Sequence, residues 1–196
     1  DGGMARGLCF SPTDAPRNLS WPGSLAGRDA AELVSWLLHW NTCDATVGAA
    51  VANAIINYHS PLPARAQALH CAEAPHLAVF EHFKGRLAGS RVAIIGRYPG
   101  LDRYQGQFDF HCIERRPGPG DLPDAAADWI LPRSDWVFIT ASSMANKTLP
   151  HLLNLSRHAQ VVLMGPSMPW VAEWADFGVN YLAGVQIRDA ERLLQI

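Results

Sequence analysis

From residue 91 onward the chain keeps one rhythm, in which short apolar, β-branched runs alternate with segments of helical pattern. The runs are RVAIIG (91–96), FDFHCIE (108–114), DWVFIT (135–140), AQVVLMG (159–165) and NYLAGVQI (180–187), and LPDAAADWIL, LPHLLNLSR and PWVAEWADFG fall between them. Successive side chains of a strand point to opposite faces, so a continuously apolar run must be buried on both. Helices on each side of a parallel sheet supply that burial, and the pattern therefore predicts an α/β, doubly wound parallel sheet. With 196 residues, 48% of them hydrophobic, the chain can bury a sizeable core.

The same composition narrows the partners. No apolar run reaches the roughly 18–20 residues that span a bilayer, so no membrane partner is expected. A formal net charge of −2 without a block of one sign carries no nucleic-acid footprint. Four cysteines (Cys9, Cys43, Cys71, Cys112) stand far apart with no CxxC, beside eight histidines, which fits isolated thiols in a reducing cytoplasm.

Residues 1–75 follow a different rhythm. The opening DGGMARGLCFSP reads as the middle of a hairpin, a turn and then a strand over 6–10, with its partner strand and any targeting segment upstream. Residues 11–27, rich in Pro, Gly, Ser and Asn, read as a loop. Asp29 is placed to cap a helix, with Glu32 completing a capping box. AAELVSWLLHW then puts Leu33, Trp36, Leu37 and Trp40 on one face. Asp44 is read as the cap of a second helix, whose Gly48, Ala49 and Ala52 let another backbone approach. A connector over 60–75 leads to a linking helix that ends at a glycine.

Ligands of open α/β sheets bind outside the carboxyl ends of the strands, where strand order reverses, so the post-strand junctions are the candidate sites. Gly96, Tyr98 and Pro99 follow the first run, but GRYPG is not a dinucleotide-binding GxGxxG and also reads as a plain tight turn. Glu114 ends the second run where an acid would bond ribose hydroxyls; beside two arginines it also reads as a solvated acid. The third junction, TASSMANKT, concentrates Thr140, Ser142, Ser143, Asn146, Lys147 and Thr148 before a Leu-rich helix with Pro150 in its first turn. Capping by Ser143 or Thr148 explains one hydroxyl, whereas an anion held at the helix terminus by Lys147 would explain the set. Gly165, Pro166 and Ser167 form a rigid fourth junction, with ligand and turn readings both open. Ser142 lies in no GxSxG elbow, and adjacent strand residues such as His111 and Cys112 cannot easily share one ion. His70-Cys71, in the connector, is the remaining adjacent pair, and no HExxH is present.

ERRPGPGDLPDAAADWILPRSDWVFITASSMANKTLPHLL, followed by GPSMPW and FGVNYLAGVQI, closely resembles the DUF364 family, named for putative heavy-metal chelation. GLCFSP, AAELVSWLLHWN and VGAAVANAIIN resemble the DUF4213 domain that precedes it, so the likeness covers nearly the whole chain. The resemblance implies a small α+β domain like the N-terminal domain of enolase (1–75), joined to a Rossmann-like domain (76–196), with a cleft between them. It implies cleft residues Gly96, Tyr98, Pro99, Glu114, Thr140, Ser142, Asn146, Lys147, Thr148, Gly165, Pro166 and Ser167, with Asn53 and Asn57 facing them from the second helix. Thr140-Ala141 stands where the family often has Thr-Gly, and Pro150 where it usually has a helix former.

The leading expectation is thus a protein that binds a small molecule, a metal ion or a metal chelate between the two parts. Its oxygen and nitrogen donors suit an organic chelate or anion better than a bare soft metal. The alternative is an enzyme with a nucleotide or nucleoside-type cofactor in the Rossmann crevice, using Lys147 on an acidic substrate. A third reading makes Trp21, Trp170 and Trp174 an exposed patch for a protein partner. An unpaired front edge strand would favour a homodimer.

Overall fold

The computed structural model describes residues 5–11 and 19–193. Six strands, β1 (Arg91–Ile95), β2 (Asp109–Glu114), β3 (Leu122–Pro123), β4 (Trp136–Thr140), β5 (Gln160–Met164) and β6 (Tyr181–Ala183), form one parallel sheet. Their order is β3-β2-β1-β4-β5-β6, so the chain builds outward from β1 on one side and returns to build outward on the other. The reversal lies between β1 and β4, where Val92 to Ile95 pair with Trp136 to Ile139.

Burial on both faces is what the apolar runs require. On one face Val92, Ile94, Trp136, Phe138, Val162 and Met164 pack with Phe80, Phe83 and Leu87 of α4 (Ala78–Leu87). On the other, Ala93, Val137, Ile139, Val161 and Leu163 meet α5 (Ala127–Ile130) and α6 (Leu149–Leu155). The helices before α4 are α1 (Ala30–Ser35), α2 (Thr42–His59) and α3 (Leu62–Arg65), and α7 (Ala190–Leu193) closes the described chain.

Several local expectations change. The two-residue β3 falls inside a segment that reads as wholly helical, and the helical pattern over 172–177 closes as a 3-10 helix. Residues 6–10 form no ladder; their main chain bonds to side chains of α2 and of the loop after β5 instead. Among the described residues ahead of α4 there are helices and no strand, and residues 1–4 and 12–18 of the loop over 11–27 lie outside the described residues. Asp29 caps α1 by accepting from Ala31 N, but Glu32 pairs with Arg28 rather than closing a box. The helical face ends early, because residues 36–38 tighten into a 3-10 turn that leaves Trp40 85% exposed. Asn41, not Asp44, caps α2. Gly48 does permit close packing: a Cβ there would lie 2.1 Å from the backbone N of Leu37. Trp170 is buried and Trp21 packs 5.3 Å from Trp36, so the three tryptophans make no exposed patch. Among the described residues no helix is long and apolar enough to cross a membrane.

Candidate functional site

The strand order places the crevice at the carboxyl ends of β1 and β4, and five of the sequence candidates converge there. Gly96 leaves β1 with φ of +97°, a conformation that disfavours L side chains. A Cβ at Gly96 would also stand 3.0 Å from Thr140 Cγ2, so the glycine lets the two strand ends close on each other. Thr140 and Ser142 share a hydroxyl–hydroxyl hydrogen bond of 3.1 Å. Gly165 brings the loop after β5 alongside, with its Cβ direction 3.7 Å from Tyr98 Oη and 3.9 Å from Thr140 Oγ1. Tyr98 packs its ring edge-on against Phe80, 5.5 Å away, and its Oη is buried without a hydrogen-bond partner. Burial pushes this phenol up to about 12; the neighbouring Thr140 hydroxyl, whose own hydrogen bond runs to Ser142, offsets this only in part.

The second half of the site is the joint with α2. Asn53, 1% exposed, donates from Nδ2 to Leu8 O at 2.7 Å and to Ser167 O at 3.0 Å. Its Oδ1 is buried and accepts nothing. Ser167 Oγ accepts from Phe10 N at 2.8 Å, and Asn57 Oδ1 accepts from Trp170 N at 3.3 Å. Pro166 is exposed between these contacts. Two unpartnered buried polar atoms, Tyr98 Oη and Asn53 Oδ1, therefore lie on residues that contact the one loop spanning 165–167.

The remaining candidates are used by the fold. The Lys147 ammonium donates to Leu37 O, a carbonyl the 3-10 turn leaves open. Lys147 is also the non-glycine residue with positive φ, +67°, among the described residues, and burial lowers its amine below the usual lysine value. The bond to Leu37 O ties the front helices to the β4 junction, ahead of the seven-residue α6. Asn146 Oδ1 accepts from Thr148 N and Oγ1, and Ser143 donates to Thr140 O at 2.7 Å, so neither Ser143 nor Thr148 caps α6 by its side chain. Glu114 accepts from Arg97 N at 2.9 Å and Arg115 N at 2.8 Å. The same Arg97 guanidinium pairs with Asp121 and, in bidentate fashion, Asp102. The ERRPGPGD stretch thus folds as a collar around Arg97, which uses the Glu114 oxygens on main-chain donors where a ribose was expected. Pro99, exposed, receives His76 Nε2 on its carbonyl at 2.8 Å.

Two features escape sequence reading. His39 Nδ1 lies 2.9 Å from Asp44 Oδ2, and Ser20 donates to the other oxygen of this buried carboxylate. Nδ1 bound this way leaves Nε2 of the half-exposed ring to solvent. The spacing His-x4-Asp across a helix cap is the one signal in the sequence that could have found it. The other is an open cavity beside Asn57, Pro166 and Trp170.

The donor set of the described residues does not suit a bare heavy metal. Among the described residues no three of His, Cys, Asp and Glu gather where an ion could be held. The four cysteines are free and ungrouped. Burial pushes the Cys112 thiol up to about 12 and raises Cys9, which disfavours the thiolates that soft metals require.

Comparison with known proteins agrees with the sheet and its flanking helices. The DUF364 family model, described as putative heavy-metal chelation, matches residues 78–196, and the DUF4213 model, with the same description, matches 1–56. A crystal structure of a DUF364 protein of unknown function from Desulfitobacterium hafniense superposes with a TM-score of 0.82 at 29% identity, covering 98% of this chain and 77% of that one. A second, from Pyrococcus horikoshii, gives 0.71 at 23% identity, covering 90% and 71%, and shares the fold. An uncharacterized protein of Methanocaldococcus jannaschii is 24% identical over 174 residues, which are 85% of this chain. The chain spans 64% of that relative's length. With a family model matching well over half of its residues, the chain belongs to the DUF364 family.

Proposed function

We propose that this protein binds a small organic ligand, or a metal already held by one, where α2 meets the carboxyl ends of β1, β4 and β5. The observation that carries the reading is the pair of buried, unpartnered atoms, Tyr98 Oη and Asn53 Oδ1, flanking the 165–167 loop. A buried polar group without a partner costs about 1–3 kcal/mol, and a ligand that hydrogen-bonds it recovers that energy on binding. The surrounding donors are hydroxyls and amides, which suit the oxygens and nitrogens of a chelate better than a bare soft cation. The family description, chelation, is consistent with metal as cargo carried in such a complex.

Equilibrium dialysis against nickel(II), against citrate, and against nickel citrate tests this. The complex or citrate is expected to bind saturably, and Tyr98→Phe and Thr140→Val to weaken it about tenfold, the loss of one hydrogen bond to a buried polar group. One nickel per chain retained without citrate, and unaffected by either substitution, would refute the reading.

A further inference from the structure

We propose that His39, held ready by Asp44, is a catalytic base on the front helices that hydrolyses small esters of apolar acids. Asp44 is buried in the first turn of α2, although Asn41 and not Asp44 caps that helix. A carboxylate is buried in this way only where partners meet it, and each oxygen has one: His39 Nδ1 at 2.9 Å and the Ser20 hydroxyl. The helix N-terminus favours the anion, which can only accept hydrogen bonds. Nδ1 therefore carries the proton, and Nε2 keeps the lone pair.

The ring is fixed as well as polarised. It stacks on the buried Trp36 with centroids 6.0 Å and planes 21° apart. Trp36 is packed in turn by Trp21, 5.3 Å away, and by the Arg28 guanidinium, 4.9 Å from its ring centre. Nε2 has no hydrogen-bond partner among the described residues, on a half-exposed side chain. An imidazole oriented by a carboxylate serves either as a metal ligand or as an acid–base group. A metal needs further ligands, and no three such side chains gather among the described residues, so the geometry favours proton transfer. Ser20 bonds the carboxylate and not Nε2, so the nucleophile is water rather than the serine of a triad. Leu38 and Trp40, on either side of His39 in the chain, are 81% and 85% exposed and offer apolar surface for an acyl chain. In the reaction Nε2 takes a proton from water as the water oxygen bonds to the ester carbonyl carbon. The imidazolium then gives that proton to the leaving oxygen as the C–O bond breaks, which leaves acid, alcohol and neutral His39. The inference does not depend on the unpartnered atoms at Tyr98 and Asn53.

Hydrolysis of p-nitrophenyl hexanoate and of p-nitrophenyl acetate by the full chain at neutral pH tests it, with hexanoate expected to be the better substrate. His39→Gln, whose amide can still donate to Asp44, is expected to lower kcat/KM for hexanoate about tenfold or more, the loss of a positioned base. His151→Gln, at an exposed histidine paired with an exposed carboxylate, is expected to leave it unchanged. Asp44→Asn is expected to lower kcat with KM unchanged, because its amide can donate to Nδ1 and so move the ring proton to Nε2. Trp40→Ala is expected to raise KM for hexanoate and narrow the preference over acetate. Equal rates in the parent and His39→Gln, equal losses in His39→Gln and His151→Gln, or no preference for hexanoate over acetate would overturn the proposal.

Discussion

Replacing Tyr98 with Phe removes one oxygen from the crevice and nothing else. The ring stays against Phe80, 5.5 Å away in edge-on contact, so the packing is retained. The hydroxyl that is lost has no hydrogen-bond partner in the folded protein, whereas in the unfolded chain water satisfies it. Burying an unpaired hydroxyl costs about 1–3 kcal/mol, so the variant should be more stable by about 1–2 kcal/mol once the small void is charged against it. For a chain of this size each kcal/mol moves the melting midpoint by about 2–4 °C, which predicts a rise of about 2–8 °C. Thermal melts followed by far-UV circular dichroism measure the midpoint and urea denaturation the free energy, with an unchanged m-value as the sign that only stability moved. A buried group that lowers stability fits a binding role, where function and stability trade off. A Tyr98→Phe protein less stable than the parent would show that Oη is satisfied in solution, and would remove the argument for a ligand there.

Three further outcomes follow from the joint and the collar. Asn53→Asp replaces the donor facing Leu8 O and Ser167 O with an acceptor, so the buried carboxyl must be protonated to stay. Protonation at pH 7 costs about 4 kcal/mol at 1.36 kcal/mol per unit, and the raised folded pKa makes this deficit shrink as pH falls toward 4; urea midpoints equal at the two pH values, relative to parent, contradict it. Lys147→Ala keeps the +67° backbone and loses the bond to Leu37 O, while Lys147→Gly loses the bond but relieves the backbone. Glycine should therefore be the more stable of the two by about 1 kcal/mol, and the reverse order in thermal melts would deny the strain. For Asp121, burial alone would raise the carboxyl, but the Gly118 N–H and Arg97 outweigh it and hold it below the usual range. Its stabilisation is thus present above the unfolded carboxylate value and lost as pH falls through the lower folded one. Asp121→Asn should cost about 2–3 kcal/mol at pH 7 and progressively less in acid, and a pH-independent cost would mean the ion pair is not its source.

The elements legible in the sequence are those whose cause is local. Ile94 and Ile95, or Val137 and Phe138, declare a strand buried on both faces because the alternation of side chains is a property of the strand itself. Asp29 declares a helix start because its partner, Ala31 N, is two residues away. The junctions at which to look for a site were legible as well, since parallel strands with helical crossovers put their loops at the carboxyl ends. The two-residue β3 was not legible, because pairing with Ile113 and Glu114 rather than its own periodicity makes it a strand.

The roles within the site depended on partners far along the chain. Lys147 sits in a stretch that suits an anion, yet its amine meets the Leu37 carbonyl 110 residues earlier. Glu114 stands where a ribose ligand would be sought, yet it closes on the Arg97 N–H. His39 reads as an ordinary helix position and Asp44 as a helix cap, yet the fold sets the ring against the buried carboxylate. By itself, the sequence determined a parallel α/β sheet and the strand ends at which to look, because strand burial and helix capping act over a few residues. The tertiary structure alone decided which polar groups are spent on the fold and which, like Tyr98 Oη and Asn53 Oδ1, are left without a partner. Whether a buried donor or acceptor is satisfied depends on what the distant chain brings within about 3 Å of it, and local pattern carries no record of that.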